Sequence, residues 1–114
     1  MRLVIQPRKL ALSESCREFL DLRMRFALSR FDQRVRDVVV TLEDVNGPRG
    51  GLDKRCQVIV QLPPRGRVVI EEREANLKSA IAHAAERAGR AVAREIERRR
   101  SARTRGPGMS PRPD

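Results

Sequence analysis

Aromatic residues, cysteine and histidine are scarce in this chain of 114 residues. It contains three Phe and neither Trp nor Tyr, so recognition of single strands on an aromatic sheet surface is not expected. Phe19 and Phe31 fit the core, whereas Phe26 fits either the core or the surface. One histidine and two cysteines that are far apart in sequence make no zinc site, and we expect Cys16 and Cys56 to be buried, reduced thiols.

Long apolar segments are also absent from the sequence. No run approaches the roughly 18 apolar residues that indicate a transmembrane helix. The N-terminus lacks the apolar core and the small-residue cleavage site of a signal peptide. The sequence therefore predicts a cytoplasmic protein with no membrane partner, and its length suits one domain with one modest core.

The chain offers no set of residues that is suited to catalysis. His83 has no nucleophile or carboxylate predicted near it, so we expect an ordinary surface histidine. Glu71, Glu72 and Glu74 lie at a strand end just before a helix N-terminus, where carboxylates compensate the helix dipole. We therefore expect a non-enzymatic protein with no catalytic residue, no cofactor and no metal ion.

Positive charge is abundant and concentrated. Lys and Arg number 25 against 15 Asp and Glu, which gives a net charge of +10 and a pI of about 11.4. Residues 87–105 alone hold eight Arg and two Glu. A small domain this basic is expected to bind a polyanion, and of the three classes that charge alone allows, RNA, DNA and an anionic membrane surface, we predict a nucleic acid.

Residues 76–100 have the periodicity of one long helix with two different faces. An apolar stripe recurs at helical spacing and predicts a core-facing side, formed by Leu77, Ile81, Ala84, Ala85, Ala88, Val92 and Ile96. A second series with steps of 3, 4 and 4 residues, here called the arginine row, consists of Arg87, Arg90, Arg94 and Arg98. Guanidinium groups spaced by one helical turn suit a phosphate backbone, although the same pattern also describes an ordinary solvated face.

The remaining elements follow from alternation, capping and turn residues. Ser13 is a good N-cap for a helix from Glu14 to about Ser29. Strands are predicted at Arg2–Gln6, ended by Pro7, and at Val38–Glu43, Cys56–Leu62 and Arg67–Glu72. The order β-α-β-β-β-α predicts an α+β fold with two helices packed on one face of a four-stranded sheet. We expect this domain to span residues 1–100 and a disordered basic tail to span residues 101–114.

Three stretches of the chain are informative through their order and separation. They are Ser13-Glu14-Ser15-Cys16-Arg17-Glu18-Phe19-Leu20, then Arg30-Phe31-Asp32 followed by Val38-Val39-Val40-Thr41-Leu42, and Ile70-Glu71-Glu72 with Asn76-Leu77-Lys78-Ser79-Ala80-Ile81. Together they resemble the bacterial hibernation-promoting factor and ribosome-associated inhibitor family in its short form. The family often has Asp and Tyr where this chain has Asn76 and Lys78, so the chain fits a divergent branch.

The resemblance implies a fold similar to double-stranded-RNA-binding domains and a function on the ribosome. Family members bind the small ribosomal subunit in the mRNA and tRNA channel and silence translation in stationary phase or stress. Basic residues on both helices face ribosomal RNA in that family. Carried over by position, the RNA-binding residues would be Arg87, Arg90, Arg94 and Arg98 on the second helix, and Arg17, Arg23, Arg25 and Arg30 on the first. Lys78 departs from the family pattern, and we add it as a candidate because it places a positive charge where the family often has Tyr.

Two questions stay open from the sequence. The glycine-rich loop 46–55 is either a plain hairpin connection or a segment that touches phosphates through backbone N–H groups and through Arg49, Lys54 and Arg55. Recognition by charge and shape would also tolerate DNA. The alternative to a ribosome-associated inhibitor is therefore a general nucleic-acid-binding or protein-interaction module with the same fold, and a monomer is favoured in either case.

Overall fold

The computed structural model describes residues 1–45 and 53–105. Within these ranges, the elements follow one another in the predicted order and confirm the α+β class. They are β1 (Arg2–Arg8), α1 (Glu14–Leu28), a short 3-10 helix (Ser29–Phe31), β2 (Asp37–Asp44), β3 (Lys54–Gln61), β4 (Arg67–Glu74) and α2 (Leu77–Arg105).

The four strands form one sheet in the spatial order β1-β2-β3-β4. β1 is parallel to β2, with Val4 opposite Val39, and α1 makes the crossover that a parallel pair requires. β2, β3 and β4 form an antiparallel meander, in which Val40 lies opposite Val58 and Val58 lies opposite Ile70. The sheet is therefore mixed, and β1 and β4 are its edges.

One face of the sheet packs against both helices and forms the core. Alternate residues of β2 and β3 are fully buried there, as the period of two predicted. The buried helix residues are Cys16, Leu20, Met24 and Leu28 on α1, and Ala80, Ile81, Ala84, Ala85, Ala88, Val92 and Ile96 on α2. Both cysteines are free and buried, and burial raises the pKa of the Cys56 thiol to about 12.

Side-chain caps begin both helices, at the predicted Ser13 for α1 and at Asn76 for α2. The Ser13 hydroxyl accepts a hydrogen bond of 3.1 Å from the backbone N–H of Cys16. The Asn76 side-chain carbonyl accepts a bond of 3.0 Å from the N–H of Ser79. Each cap satisfies one of the N–H groups that have no partner within the first turn of a helix.

Several predicted boundaries were wrong by a few residues, β3 beginning at Lys54 and β4 ending at Glu74, and two of the differences have a clear physical reason. Pro7 does not end β1, which continues to Arg8, because an edge strand tolerates a residue without a backbone N–H. α2 continues past residue 100 to Arg105, because Ala and Arg are good helix formers and the first Gly-Pro pair follows only after Arg105. The rest of the predicted tail, residues 106–114, and most of the glycine-rich loop, residues 46–52, lie outside the described residues.

Arg99 ties α2 to the turn between β3 and β4, a role that the sequence analysis did not anticipate. Its guanidinium donates hydrogen bonds of 3.3 Å to the carbonyl oxygens of Leu62 and Pro63, and one of 2.5 Å to that of Arg65. Gly66 completes this turn with a φ of +96°, a conformation that L side chains rarely adopt. Arg99 therefore satisfies several turn carbonyls at once and holds the turn against the helix.

We predict that Arg99→Ala lowers the free energy of unfolding by about 1–2 kcal/mol, because charge-assisted hydrogen bonds to three carbonyls are lost. The neighbouring Arg98→Ala is the matched control, since Arg98 contacts Glu95 on its own helix, and a change within about 0.5 kcal/mol is expected. Urea unfolding followed by circular dichroism measures both values. Equal losses in the two variants would show that the turn contacts do not stabilise the fold.

Candidate nucleic-acid interface

The two helices come close together at Gly89. A Cβ atom at this position would lie 3.0 Å from the carbonyl oxygen of Ala27 on α1. Beside this contact, α1, the 3-10 helix and α2 enclose a cleft of about 660 Å³, here called the interhelical groove. Its lining residues are Arg23, Phe26, Ala27, Arg30, Ala85, Glu86, Gly89, Arg90, Ala93, Arg94 and Glu97.

Four of the predicted RNA-binding arginines lie along this groove and keep their charge uncompensated. Within residues 1–45 and 53–105, no carboxylate lies within 4.0 Å of the guanidinium of Arg90, Arg94, Arg23 or Arg30. The Arg23 guanidinium lies 5.7 Å from the centre of the Phe19 ring, and that of Arg30 lies 4.8 Å from the centre of the Phe31 ring. Cation–π contacts of this kind orient a guanidinium without neutralising it.

The two ends of the arginine row differ from its middle. Arg87 Nη1 donates to the Glu72 carboxylate at 2.7 Å and to the Glu71 carbonyl at 2.9 Å, which ties it to β4. Arg98 Nη2 lies 2.7 Å from both carboxylate oxygens of Glu95, and this pairing lowers the pKa of Glu95. All four side chains of the row are exposed, as predicted. Of these four, only Arg90 and Arg94 line the groove, and neither has a carboxylate partner within the described residues.

The other predicted contacts on the helices lie outside the groove. Lys78 Nζ is 5.4 Å from the centre of the Phe19 ring, which the Arg23 guanidinium also contacts. Arg17 and Arg25 border a separate exposed patch around Ile5 and Leu22, and Arg25 forms an ion pair of 2.9 Å with Asp21. Their contribution to RNA binding remains a prediction.

Lys54 and Arg55 were predicted to lie in the glycine-rich loop, but they are the first two residues of β3 and are held by carboxylates. Arg55 bridges Glu43 at 3.0 Å and Glu71 at 3.4 Å on the open face of the sheet, away from the helices. Lys54 pairs with Asp44 at 3.3 Å, and this hydrogen bond raises the pKa of Lys54. Arg49 lies outside the described residues. A phosphate would have to replace existing ion pairs at Lys54 and Arg55.

Glu72, Glu74 and His83 form the group of side chains that comes nearest to a metal site. Their ligand atoms lie within 4.8 Å of one another. However, Glu72 is paired with Arg87, and Glu74 makes a short hydrogen bond with His83 Nδ1 that raises the pKa of the imidazole. Each of the two carboxylates therefore already has a partner on α2, and the group links β4 to that helix. The expectation that these glutamates only compensate the helix dipole missed this pairing.

Phe26 is the groove residue whose role the sequence left undecided. Its side chain is 80% exposed, whereas Phe19 and Phe31 pack against the core as predicted. The sequence contains a signal for this exposure. Phe26 lies three residues after Arg23 and four residues before Arg30, and this spacing places it on the polar side of α1. Because this exposed aromatic ring borders the groove together with arginines, we include Phe26 in the candidate site.

One family model matches this chain, and two solved structures share its fold. The family model described as "Sigma 54 modulation protein / S30EA ribosomal protein" matches residues 3–100. A ribosomal subunit interface protein from Coxiella burnetii superposes with a TM-score of 0.69 at 9% identity, covering 85% of this chain and 99% of that one. The N-terminal domain of Thermus thermophilus Protein Y superposes with a TM-score of 0.64 at 24% identity, covering 83% and 99%.

No curated protein sequence matches this chain at a significant level. None of the helices in residues 1–45 and 53–105 combines the length and the apolar character that are needed to cross a bilayer.

We predict that the imidazole pKa of His83 lies above its ordinary value of about 6.5, because Glu74 stabilises the charged ring. A raised folded-state pKa adds stability that is present below about pH 6.5 and is lost as pH rises through the folded value. Since His83 is the single histidine, its ring signals in an NMR titration report the pKa directly. Glu74→Gln should move that pKa back toward 6.5, and an unchanged titration in this variant would refute the pairing.

Proposed function

Because the chain belongs to the sigma 54 modulation protein / S30EA ribosomal protein family, we propose that it is a translation inhibitor that acts by occupying the small ribosomal subunit. Membership makes the chain a ribosome-associated protein and agrees with the resemblance found in its sequence. The finer statement is that it binds ribosomal RNA in the mRNA and tRNA channel, and this is an inference from the family and from the charge pattern.

The observation that carries this proposal is the cluster of four uncompensated arginines at the interhelical groove. Arg23 and Arg30 come from the first half of the chain and Arg90 and Arg94 from α2, so the cluster exists only in the folded protein. Guanidinium groups bind phosphate through two parallel hydrogen bonds, and they release condensed counterions when they do so. A surface of this kind fits the backbone of folded RNA.

The proposed mechanism needs no chemical step. Arginines on both sides of the groove would bind phosphates of ribosomal RNA, and the body of the domain would then fill space that mRNA and tRNA need. We accordingly infer a non-enzymatic role in the cytoplasm, used when translation is reduced in stationary phase or stress. Inhibition by occupancy predicts that the extent of inhibition follows the fraction of subunits bound.

We predict that the protein sediments with 30S subunits and with 70S ribosomes at low salt, and that it inhibits translation in a purified system. The experiment is sucrose-gradient centrifugation of the purified protein mixed with ribosomes, followed by a translation assay over the same range of concentrations. Recovery only in the top fractions, together with binding to unrelated duplex DNA, would replace this proposal with that of a general nucleic-acid-binding module.

We predict that Arg90→Glu combined with Arg94→Glu weakens binding to 30S subunits by roughly 100-fold or more, because two charge-assisted contacts become repulsive. The salt dependence should also become shallower, by about two units of log–log slope. Binding titrations at several salt concentrations measure both effects. Circular dichroism should show an intact fold, since both side chains are exposed.

The matched control for this experiment is Arg67→Glu combined with Arg73→Glu. These two arginines lie on β4 and alternate with the core-facing Ile70, so they project from the open face of the sheet, opposite the helices. Both double variants change the net charge of +10 by the same amount. Equal losses of affinity in the two variants would show that net charge matters and that the interhelical groove does not.

A further inference from the structure

We propose that the interhelical groove binds an unpaired nucleotide of RNA, whose base stacks on Phe26 while the surrounding arginines bind its flanking phosphates. This inference rests on the proposed function and adds to it the class of ligand that the groove takes. It differs from recognition by charge and shape alone, because it requires a base that has left a helical stack.

The exposure of Phe26 is the first observation behind this inference. Three large hydrophobic side chains are exposed within the described residues, namely Leu22 at 67%, Val69 at 48% and Phe26 at 80%. Phe26 is the aromatic one and the most exposed of the three, and it alone borders the groove. Phe19 and Phe31 pack against the core, so the exposed ring of Phe26 contributes little to folding.

The charges around the ring are the second observation. Arg23 precedes Phe26 by three residues on α1, and Arg30 follows it by four residues on the 3-10 helix. These spacings place both arginines on the same side as the Phe26 ring. Arg90 and Arg94 lie across the groove on α2. An aromatic face between cations matches the two parts of a nucleotide, because the base offers a flat π surface and the phosphates offer negative charge.

The shape of the groove agrees with a planar ligand. Four of its lining residues are small, namely Ala27, Ala85, Gly89 and Ala93, and they are here called its floor. They provide apolar surface without large side chains. Its volume of about 660 Å³ lies within the range of small-molecule sites. Inorganic phosphate or an acidic side chain would use the arginines but would leave the ring and this floor uncovered.

Two carboxylates also border the groove, and they reduce the electrostatic attraction that the arginines exert on a phosphate there. Glu97 is 3.7 Å from Arg100, and Glu86 lies nearer the start of α2. Four arginines and two glutamates leave a modest positive excess at the groove. Stacking on Phe26 is therefore expected to supply part of the affinity, which makes the contribution of the ring measurable.

The test uses Phe26→Trp in the full chain. Because the protein has no other Trp and no Tyr, this tryptophan is its sole indole or phenol fluorophore, and stacking against a base quenches its emission. The probe is an eight-residue oligoadenylate at low salt, compared with a ribose-phosphate oligomer of equal length without bases. We expect strong quenching by the oligoadenylate and little by the abasic oligomer.

The matched control is Leu22→Trp, which places the fluorophore on an exposed position of the same helix but outside the groove. Its emission should change little when the oligoadenylate binds, and binding itself is monitored by the anisotropy of a dye on the oligomer. Equal quenching at positions 22 and 26, or bound oligoadenylate that leaves Trp at position 26 unquenched, would overturn the stacking proposal.

A second measurement separates this inference from the proposed function. Phe26→Ala should weaken binding to 30S subunits by about 5- to 150-fold, the range expected for one stacked base, whereas Phe26→Tyr should retain affinity. Wild-type affinity in Phe26→Ala would refute stacking and leave the ribosome proposal intact. Failure of the wild-type protein itself to sediment with ribosomes would refute the ribosome proposal, while the fluorescence result alone would still decide whether a base stacks on position 26.

Discussion

The close contact between α1 and α2 at Gly89 is the constraint on which the candidate site depends. A glycine inside a helix costs about 1 kcal/mol relative to alanine, so its presence in a long helix calls for a structural reason. Here a Cβ would lie 3.0 Å from the carbonyl oxygen of Ala27, so that the backbone of α1 would have to move by a few tenths of an ångström to admit it. The small alanines of the core-facing stripe act in the same direction, because they let α2 lie close to its neighbours. This packing brings arginines that are some sixty residues apart in sequence to the two walls of one groove.

The pairing of charges within the fold decides which of the many basic residues remain available. Glutamates of β4 hold Arg87 and His83, and Glu95 holds Arg98 and Arg99. Lys54 and Arg55 are held in the same way at the sheet. The net charge of +10 therefore overstates how many cations can receive a phosphate without first losing a carboxylate. Six of the predicted helix contacts have no carboxylate partner within the described residues. Four of these six, Arg23, Arg30, Arg90 and Arg94, line the groove together with the exposed ring of Phe26.

The periodicity of the sequence was sufficient to predict the fold. It could not predict contacts between segments that are distant in sequence. The alternation in β2 and β3 and the apolar stripe of α2 predicted the core almost residue by residue, because burial follows the repeat of each element. The spacing of the arginine row correctly placed all four residues on an exposed side of α2. It could not show that Glu72 neutralises Arg87, since that contact joins residues 15 apart on two different elements. The roles of Gly89 and Arg99 were hidden for the same reason, because each depends on a backbone segment that is remote in sequence.

The central claim is that the helical side of the domain, with the interhelical groove at its middle, is the face that contacts RNA. A cryo-electron microscopy structure of the protein bound to the 30S subunit tests this most directly, because it shows which face meets ribosomal RNA. We predict that phosphates of the RNA lie within hydrogen-bonding distance of Arg23, Arg30, Arg90 and Arg94. The open face of the sheet should be directed away from the RNA. A complex in which the open face, with Arg55, Arg67 and Arg73, lies against the RNA while the groove faces solvent would contradict it.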